Sequence, residues 1–469
     1  MPSSSAGTRR RKASWTCSTA SWPRGGRRSC AMRDLVILGL FLALIYQTFK
    51  DPVWGVLGWV WMGVMNPHRL AYGFAHDAPW SMIIALALFL SLLLHRDKLV
   101  RFPVNGVTIL LSIWILWIGV SPLLFSFYPD KEFNFWSRAF KVLLMVLVSL
   151  LVIKRRRDLD WLVMVLVVSI AYYGIKGGVF TVLTGGAARV WGPEGSFIED
   201  NNSLALATIM TVPLIRYLQL QATKKWQRHL ASAAMLLCMA SAVGSQSRGA
   251  FLAIMAMSFF MWMKSRNKLP LALVVLVALP LIFVFMPDSW SERMSTIKTY
   301  DQDASALGRI NAWQTAWRMA LDLFPFGGGF TVAGPAAFAK YAPDPSVPLT
   351  AHSIYFQALG EHGFAGLIIF VGIFVLTWRR ASAAIQRSKG VAELQWARDL
   401  AAMCQVGLIG YATGGAFLSL VYFDLPYYLV LIVVVVDRVV AKEMDDRKKV
   451  AIASGQAPRD VHSPYWERA

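Results

Sequence analysis

Long apolar runs separated by short polar loops occupy most of the chain from residue 35 to residue 440. Runs that cross, or nearly cross, a hydrocarbon core of ~30 Å lie at 80–94, 106–126, 137–153, 161–183, 203–221, 229–244, 250–263, 269–286, 354–378, 400–421 and 425–440. The stretch 35–65 splits at Lys50-Asp51-Pro52 into two runs, each too short to span upright without thinning the bilayer. The pattern predicts an all-α polytopic membrane protein with about twelve transmembrane helices.

Basic residues recur in every second loop and predict the orientation of the chain. They cluster at 95–101, 154–157, 224–228, 264–268 and 379–389. The positive-inside rule assigns these loops, and the tail at 441–469, to the cytoplasm. The opposite, external face then receives the loops at 127–136, 184–202, 244–249, 287–353 and 422–424.

The loop at 287–353 is the only large extramembrane insert that the sequence predicts. Within it, residues 308–323 have helical apolar spacing at Ile310, Trp313, Trp317 and Ala320, which predicts a helix along the membrane interface. The glycine-rich segment FPFGGGF at 324–330 is expected to form a flexible turn.

The composition excludes a soluble protein and argues against nucleic-acid binding. Hydrophobic residues make up 56% of the 469 residues, which indicates a single membrane domain, assigned to 32–440. A formal charge of +20 indicates a nucleic-acid-binding protein only when the basic residues form a patch on the surface. Here the basic residues lie in short loops between apolar runs, as topology determinants do.

The first 31 residues differ from the rest of the chain. They contain seven basic residues among Ser, Gly and Pro: Arg9, Arg10, Arg11, Lys12, Arg24, Arg27 and Arg28. No apolar core like that of a signal peptide is present there. We interpret 1–31 as a disordered or mis-annotated extension, with Met32 as the start of the protein. The four cysteines have neither disulfide nor metal spacing: Cys17, Cys30, Cys238 and Cys404.

Three arginines on the predicted external face are candidates for binding an anion. Arg189 lies in GGAARVWGPEGSF, Arg248 in SQSRGA and Arg309 in SALGRIN. One planar guanidinium group can bind two phosphate oxygens at once. Placing an isolated Arg side chain in the hydrocarbon core costs ~2.5–3.5 kcal/mol, so a bound anion would stabilise it. Each arginine taken alone is better explained by lipid headgroups or by pairing with Glu194 or Glu199. Their occurrence together on one side favours an anion site.

Histidines are candidates for proton transfer. His95, His229 and His462 fall on the cytoplasmic side, which leaves His68, His76, His352 and His362 on or near the external face. His352 precedes an apolar helix at the edge of the bilayer, and its neutral imidazole can accept a proton from an attacking hydroxyl. A structural histidine that caps the helix fits the sequence equally well.

Several other polar residues are weaker candidates. Tyr355 and Gln357 follow His352, and Lys176 and Lys141 are cations inside apolar runs, where snorkelling is an equal explanation. The cluster at 199–202, with Asp200 and Asn201, suits sugar hydroxyls or a helix N-cap. Glu361 and His362 predict a break in the span. The sequence contains no P-loop, GxSxG, zinc or dinucleotide motif.

The three external arginines, followed by AHSIYFQALGEHG entering a span, resemble the O-antigen ligase and polymerase superfamily. More narrowly, six phrases resemble the O-glycosylation ligases associated with exosortase systems: MRDLVIL, MNPHRLAYGFA, YYGIKGGVFTVLTGG, RVWGPEGSFIEDNN, MSTIKTYDQDASALGRINAW and AHSIYFQALGEHGFAGL. The resemblance extends from Met32 to about residue 440.

The resemblance implies a GT-C-like glycosyltransferase of the bacterial inner membrane with its active site facing the periplasm. Its donor would be an undecaprenyl-diphosphate-linked glycan, and its acceptor a hydroxyl of a protein side chain or of the lipid A core. By motif position, Arg189 and Arg248 would bind the diphosphate, Arg309 would assist, and His352 would deprotonate the acceptor, with inversion and without a metal or other cofactor. Ligases of the lipopolysaccharide type often have Asn where this chain has Ser353, so the acceptor stays open.

Two other functions fit the same residues. A polymerase of the same superfamily, acting on O-antigen or exopolysaccharide, would use the same chemistry. A transporter or flippase of lipid-linked glycan would place charged groups near the membrane midplane and would show paired repeats. The absence of a visible repeat and the position of the candidates at one face favour the enzyme.

Overall fold

The computed structural model describes residues 24–71, 73–265 and 304–454, and the single positions 269, 273 and 276. All regular elements in these ranges are helical, which confirms the predicted all-α class for this part of the chain. The helices are α1 (Arg24–Lys50), α2 (Pro52–Met65), α3 (Trp80–Leu94), α4 (Gly106–Leu124), α5 (Pro129–Val152), α6 (Arg156–Leu183), α7 (Asn201–Gln221), α8 (Lys225–Gly244), α9 (Arg248–Lys264), α10 (Ala304–Asp322), α11 (Pro335–Tyr341), α12 (Ile354–Arg387), α13 (Gln395–Gly414) and α14 (Asp424–Ala453).

Seven helical segments in the described residues are long and apolar enough to cross a membrane. They are Met32–Lys50, Gly106–Leu124, Pro129–Val152, Arg156–Leu183, Asn201–Gln221, Ile354–Arg387 and Ala392–Phe417. The chain is therefore a multi-pass helical membrane protein. The runs predicted at 229–244, 250–263 and 425–440 form helices α8, α9 and α14, which are not among the seven. Twelve crossings thus stay a prediction.

Parts of the predicted organisation fall outside the described residues. These parts are 1–23 of the N-terminal extension, most of the predicted span 269–286, the external loop up to residue 303, and the end of the tail from residue 455. Residues 24–31 form the start of α1.

The chain divides into two compact units, at the boundary between residues 94 and 95. The first unit contains α1, α2 and α3. The predicted break at residue 51 is confirmed, because the Asp51 side chain accepts a hydrogen bond from Val53 N at 3.2 Å and Pro52 starts α2. Phe41 packs edge-on against Trp80 in the core of this unit, with ring centroids 4.3 Å apart.

Helix α14 lies in the interior of the second unit. Every residue from Asp424 to Asp437 is buried, as expected for a helix that is apolar on all sides. At the far end of this buried stretch, Asp437 pairs with Arg380 and Arg387 of α12, the former at 2.6 Å. These contacts fix α12 against α14.

Helix α12 is broken at Gly363, which has φ 69° and ψ −168° inside an otherwise helical segment. The break follows directly after Glu361 and His362, where the sequence predicts one. The segment 324–330 fits into it, because Gly328 N donates to Gly360 O at 2.9 Å and Gly329 N to Glu361 O at 3.0 Å. The segment is thus packed and hydrogen-bonded, which corrects the expectation of a flexible turn.

Helix α5 holds the other side of the same turn. The Glu132 carboxylate accepts hydrogen bonds from Phe330 N at 2.9 Å, Thr331 N at 3.2 Å and the Thr331 hydroxyl at 2.6 Å. Residues 129–136, predicted as part of an external loop, are the first turns of α5. The start of α5 and the break of α12 therefore clamp the glycine-rich turn between them.

Helix α10 confirms the helix predicted at 308–323, while its position along the membrane interface stays a prediction. Its buried residues include Ala312, Ala316 and Met319, while Trp317 is 48% exposed. Small side chains allow α10 to pack closely on α12: a Cβ added at Gly360 would lie 3.1 Å from the Ala316 Cβ. Helix α10 therefore packs as an integral part of the second unit.

Candidate functional site

His352 lies in an uncommon backbone conformation. Its φ of 43° is in the left-handed region, which few non-glycine residues adopt and which often marks a functional position. Its N–H donates to Ser419 Oγ at 2.9 Å, and Trp313 Nε1 donates to Ala351 O at 2.6 Å. Helix α12 begins two residues later after the buried Ser353. Hydrogen bonds from two sides thus fix the turn that presents His352.

Arg309 and Asp200 provide the charges around His352. Arg309 is half-buried and lies one helical turn before Trp313 on α10, so both side chains are on the face that meets the His352 turn. Burial, followed by the Arg309 charge, lowers the pKa of His352 below 6.5, while the Asp200 charge raises it. The net effect favours the neutral imidazole, the form that can accept a proton.

Arg189 and Arg248 belong to two interlocked loops. Arg189 Nε donates to Gln246 Oε1 at 3.3 Å, and Gln246 Nε2 donates to Gly186 O at 3.0 Å. Gln246 also has a positive φ, 56°. Arg248 follows two residues later as the first residue of α9 and is half-buried. One glutamine therefore couples the two arginine loops.

The arginine loops and the His352 turn lie at the same end of the second unit. Asn201 Nδ2 donates to Ser245 O at 2.7 Å in the Arg248 loop, and its neighbour Asp200 acts on His352. On another side, Gly249 packs against Phe417, two residues before the Ser419 that holds the His352 turn. Arg189 and His352 on loops, Arg248 at the start of α9 and Arg309 on α10 thus lie on adjoining segments.

The other predicted substrate-binding residues differ in their surroundings. Asp200 caps α7, since its side chain accepts from Asn202 N at 2.9 Å and Ser203 N at 3.1 Å. The Tyr355 hydroxyl donates to Ala412 O at 2.9 Å, which is a packing contact between α12 and α13. Lys176 is exposed on α6, as snorkelling would place it. Lys141 on α5 is exposed too.

The histidines His68 and His76 lie in the first unit, between α2 and α3. His76 Nδ1 is 2.8 Å from Asp77 Oδ1. Burial and the adjacent Arg69 lower the pKa of His68 to about 4. No role in the candidate site is assigned to either.

A cavity of about 690 Å³ adjoins the His352 turn. Its wall includes the start of α5, the buried face of α10, residues 330–335, residues 349–351, and Gln357 and Glu361 of α12. Ser419 and Tyr422 complete it. The volume lies within the range of about 300–1,000 Å³ that is typical of small-molecule sites.

A buried hydrogen-bonded network below this cavity was not predicted. Ser121 Oγ is 2.7 Å from His362 Nδ1, and His362 Nε2 is 2.5 Å from the Tyr422 hydroxyl. The same hydroxyl donates to Glu361 Oε2, and Gln357 Nε2 donates to Glu361 Oε1 at 2.9 Å. Glu361, an acidic residue inside an apolar run, is the sequence feature that could have indicated this network. Its partner Tyr422 could not be identified, because it lies sixty-one residues away along the chain.

Within the described ranges, no group of three or more His, Cys, Asp and Glu side chains is arranged to hold a metal ion. Cys238 and Cys404 are buried free thiols in the interior of their helices.

Two family matches cover most of the chain. Residues 233–371, which contain Arg248, Arg309 and His352, match the family described as O-antigen ligase. Residues 32–223, which contain Arg189, match a family of unknown function, DUF5935. No curated protein matches the chain.

Proposed function

We propose, from the premise that residues 233–371 belong to the O-antigen ligase family, that the protein transfers a glycan from undecaprenyl diphosphate to an acceptor hydroxyl. The family match and the seven apolar helices make the chain a membrane enzyme of the ligase or polymerase type. Three further points belong to the proposal: the undecaprenyl-diphosphate donor, the base-assisted displacement, and the position of the site on the periplasmic face of the bacterial inner membrane.

The observation that best supports this proposal is the His352 turn. A histidine in a left-handed conformation, fixed by Ser419 and next to a cavity, is a positioned base. Burial and Arg309 keep its pKa below 6.5, so it is neutral near pH 7. A histidine that only caps α12 would need neither feature.

The proposed step is an in-line displacement at the anomeric carbon of the donor. The acceptor oxygen forms a bond to that carbon while its proton moves to an imidazole nitrogen of His352. The bond between the anomeric carbon and the diphosphate oxygen breaks, and its electron pair leaves with undecaprenyl diphosphate. Attack from the face opposite the leaving group inverts the anomeric configuration.

The arginines are proposed to stabilise the leaving diphosphate. Negative charge grows on its oxygens as the bond breaks, and guanidinium groups already in place lower the energy of that state. The link through Gln246 supports a shared role for Arg189 and Arg248. Arg309, close enough to His352 to shift its pKa, is proposed to span the donor phosphate and the base.

The test is transfer of glycan by the full-length protein in lipid nanodiscs, using lipid-linked glycan and candidate acceptors. We expect His352→Ala to lower transfer by about 10²–10⁴-fold, the usual contribution of a general base, while donor binding is kept. Arg189→Ala and Arg248→Ala should weaken donor binding. Product analysis separates ligation to a protein or lipid A acceptor from polymerisation onto a second lipid-linked glycan.

Lys225→Ala is the matched control, because this exposed cation lies at the other end of α8 from the Arg248 loop. It should leave binding and transfer unchanged. Undiminished transfer by His352→Ala would remove the base from the proposal. Donor binding unaffected in both arginine variants would remove the diphosphate site.

A further inference from the structure

Glu361 is a buried carboxylate in the wall of the cavity. It is 7% exposed, and it lies one helical turn from Gln357 on the same face of α12. Both side chains line the cavity, together with Tyr422 from the segment before α14. A carboxylate in such a place must be stabilised by hydrogen bonds.

The hydrogen bonds around Glu361 have one consistent direction. The Tyr422 hydroxyl donates its one proton to Glu361 Oε2, so it must accept from His362 Nε2–H. His362 then has its second nitrogen free to accept from Ser121. Gln357 donates through Nε2 to Glu361, while its Oε1 accepts from Val421 N at 3.2 Å. Every donor of the network is therefore oriented towards Glu361.

The carboxylate keeps capacity for further donors. Its two oxygens keep lone pairs for further hydrogen bonds in either protonation state, because Tyr422 and Gln357 each occupy only one, on different oxygens. A ligand in the cavity that carries hydroxyl or amide N–H groups can fill the rest. Phe330 and Phe356 also line the cavity, and their ring faces suit the C–H surface of a pyranose. Phe356 is held in place by stacking on Trp313, with centroids 5.0 Å apart.

We propose that this cavity is a saccharide subsite and that Glu361 is a specificity-determining residue which accepts hydrogen bonds from sugar hydroxyls. The inference rests on the proposed function, which supplies two sugar-bearing substrates, the donor glycan and a glycosylated acceptor. Ala351 lines the cavity directly before His352, so a sugar bound there adjoins the reacting hydroxyl or the anomeric carbon.

The test compares Glu361→Gln with the unmodified protein in nanodiscs, using two lipid probes. One probe is undecaprenyl diphosphate without sugar, and the other is lipid-linked glycan extracted from native membranes. If the subsite holds the donor sugar, Glu361→Gln weakens binding of the glycan-bearing lipid by about 10–100-fold, the loss typical of a buried hydrogen-bonding group left without its partner. Binding of the sugar-free lipid stays unchanged. If it holds the acceptor sugar, both lipids bind normally and the KM for the acceptor rises by the same factor.

Two further variants keep the test decisive. Glu443→Gln makes the same chemical change at a half-exposed position of α14, where Glu443 pairs with Arg447, and should alter binding of neither probe. Ala333→Trp narrows the cavity from a half-exposed wall position and should weaken sugar-bearing ligands alone, even if Glu361→Gln folds poorly.

Unchanged binding and unchanged KM in both cavity variants would overturn the subsite. Equal weakening of both lipids would also overturn it, because that result indicates general damage. Failure of the unmodified protein to bind either lipid would overturn the proposed function itself. The two failures are therefore distinguishable.

Discussion

At the scale of single residues, two opposite charges act on the pKa of His352. Burial and Arg309 lower its pKa, and Asp200 raises it. The backbone of His352 is left-handed and is fixed by the hydrogen bond to Ser419. Such a balance permits the pKa of one imidazole to be moved in either direction without touching the imidazole itself.

The pH dependence of transfer tests this control. A base acts when it is neutral, so kcat/KM falls as pH drops through the pKa of His352. Arg309→Gln removes a positive charge that disfavours the protonated ring, so the pKa rises and the acid limb should move to higher pH. Asp200→Asn removes a negative charge that favours the protonated ring, so the limb should move to lower pH.

Two comparisons separate the effect of charge on the His352 pKa from effects on structure. Asn caps a helix about as well as Asp, so Asp200→Asn keeps the start of α7. Arg309→Lys retains the positive charge and should leave the acid limb in place. Shifts of both charge variants in the same direction would contradict the assignment.

At the scale of secondary-structure elements, the broken helix α12 organises the site. Its N-terminal part begins two residues after His352, and the turn at 324–330 is hydrogen-bonded to the backbone at its break. Gly327 packs so closely that a Cβ there would lie 2.5 Å from His362 N. The break thus replaces helical hydrogen bonds by bonds to a second segment, which satisfies the backbone groups inside an apolar environment.

Gly363→Ala tests the importance of this junction. Gly363 has a positive φ, and a Cβ there would overlap the carbonyl groups of Pro325 and Phe326. We expect the free energy of unfolding in detergent to fall by about 1–2 kcal/mol for the left-handed backbone and by about 1–3 kcal/mol more for the overlap. Transfer should fall too, since the turn forms part of the cavity wall.

Gly390→Ala is the matched control for this prediction. Gly390 has φ +79° but open space around its Cβ position, so only the backbone term applies. Equal losses of stability in the two variants would show that the packing of the turn contributes nothing.

At the scale of the whole molecule, the predicted orientation places all candidate residues on one side of the membrane. The arginine loops and the His352 turn adjoin one another in the second unit. The loop between α7 and α8, which carries Lys224 and Lys225, is predicted on the opposite, cytoplasmic side.

Labelling with a membrane-impermeant maleimide on spheroplasts tests this orientation. The background protein has Cys17→Ser and Cys30→Ser, and its remaining native cysteines are buried. Ala188→Cys and Val347→Cys, both at exposed positions, should react in intact spheroplasts. Thr223→Cys, also exposed, should react only after permeabilisation. The reverse pattern would invert the proposed active-site face.

Much of the architecture could be predicted from local pattern. Apolar runs marked the helices, Lys50-Asp51-Pro52 marked the boundary of α1 and α2, and the adjacent polar pair Glu361 and His362 marked the break in α12. Each of these features depends on a few consecutive residues, since helical periodicity, caps and backbone conformation are local properties.

The sequence by itself therefore determined the helical class, the breaks at residues 51 and 363, and the candidate residues themselves, the arginines and His352. Only the tertiary structure decided which distant groups meet: Tyr422 with Glu361, and the 324–330 turn with Glu132. It also turned Lys176 outwards and Trp317 away from the core. The physical reason is that buried polar groups must find hydrogen-bond partners wherever the packed chain places them, and sequence distance says nothing about that choice.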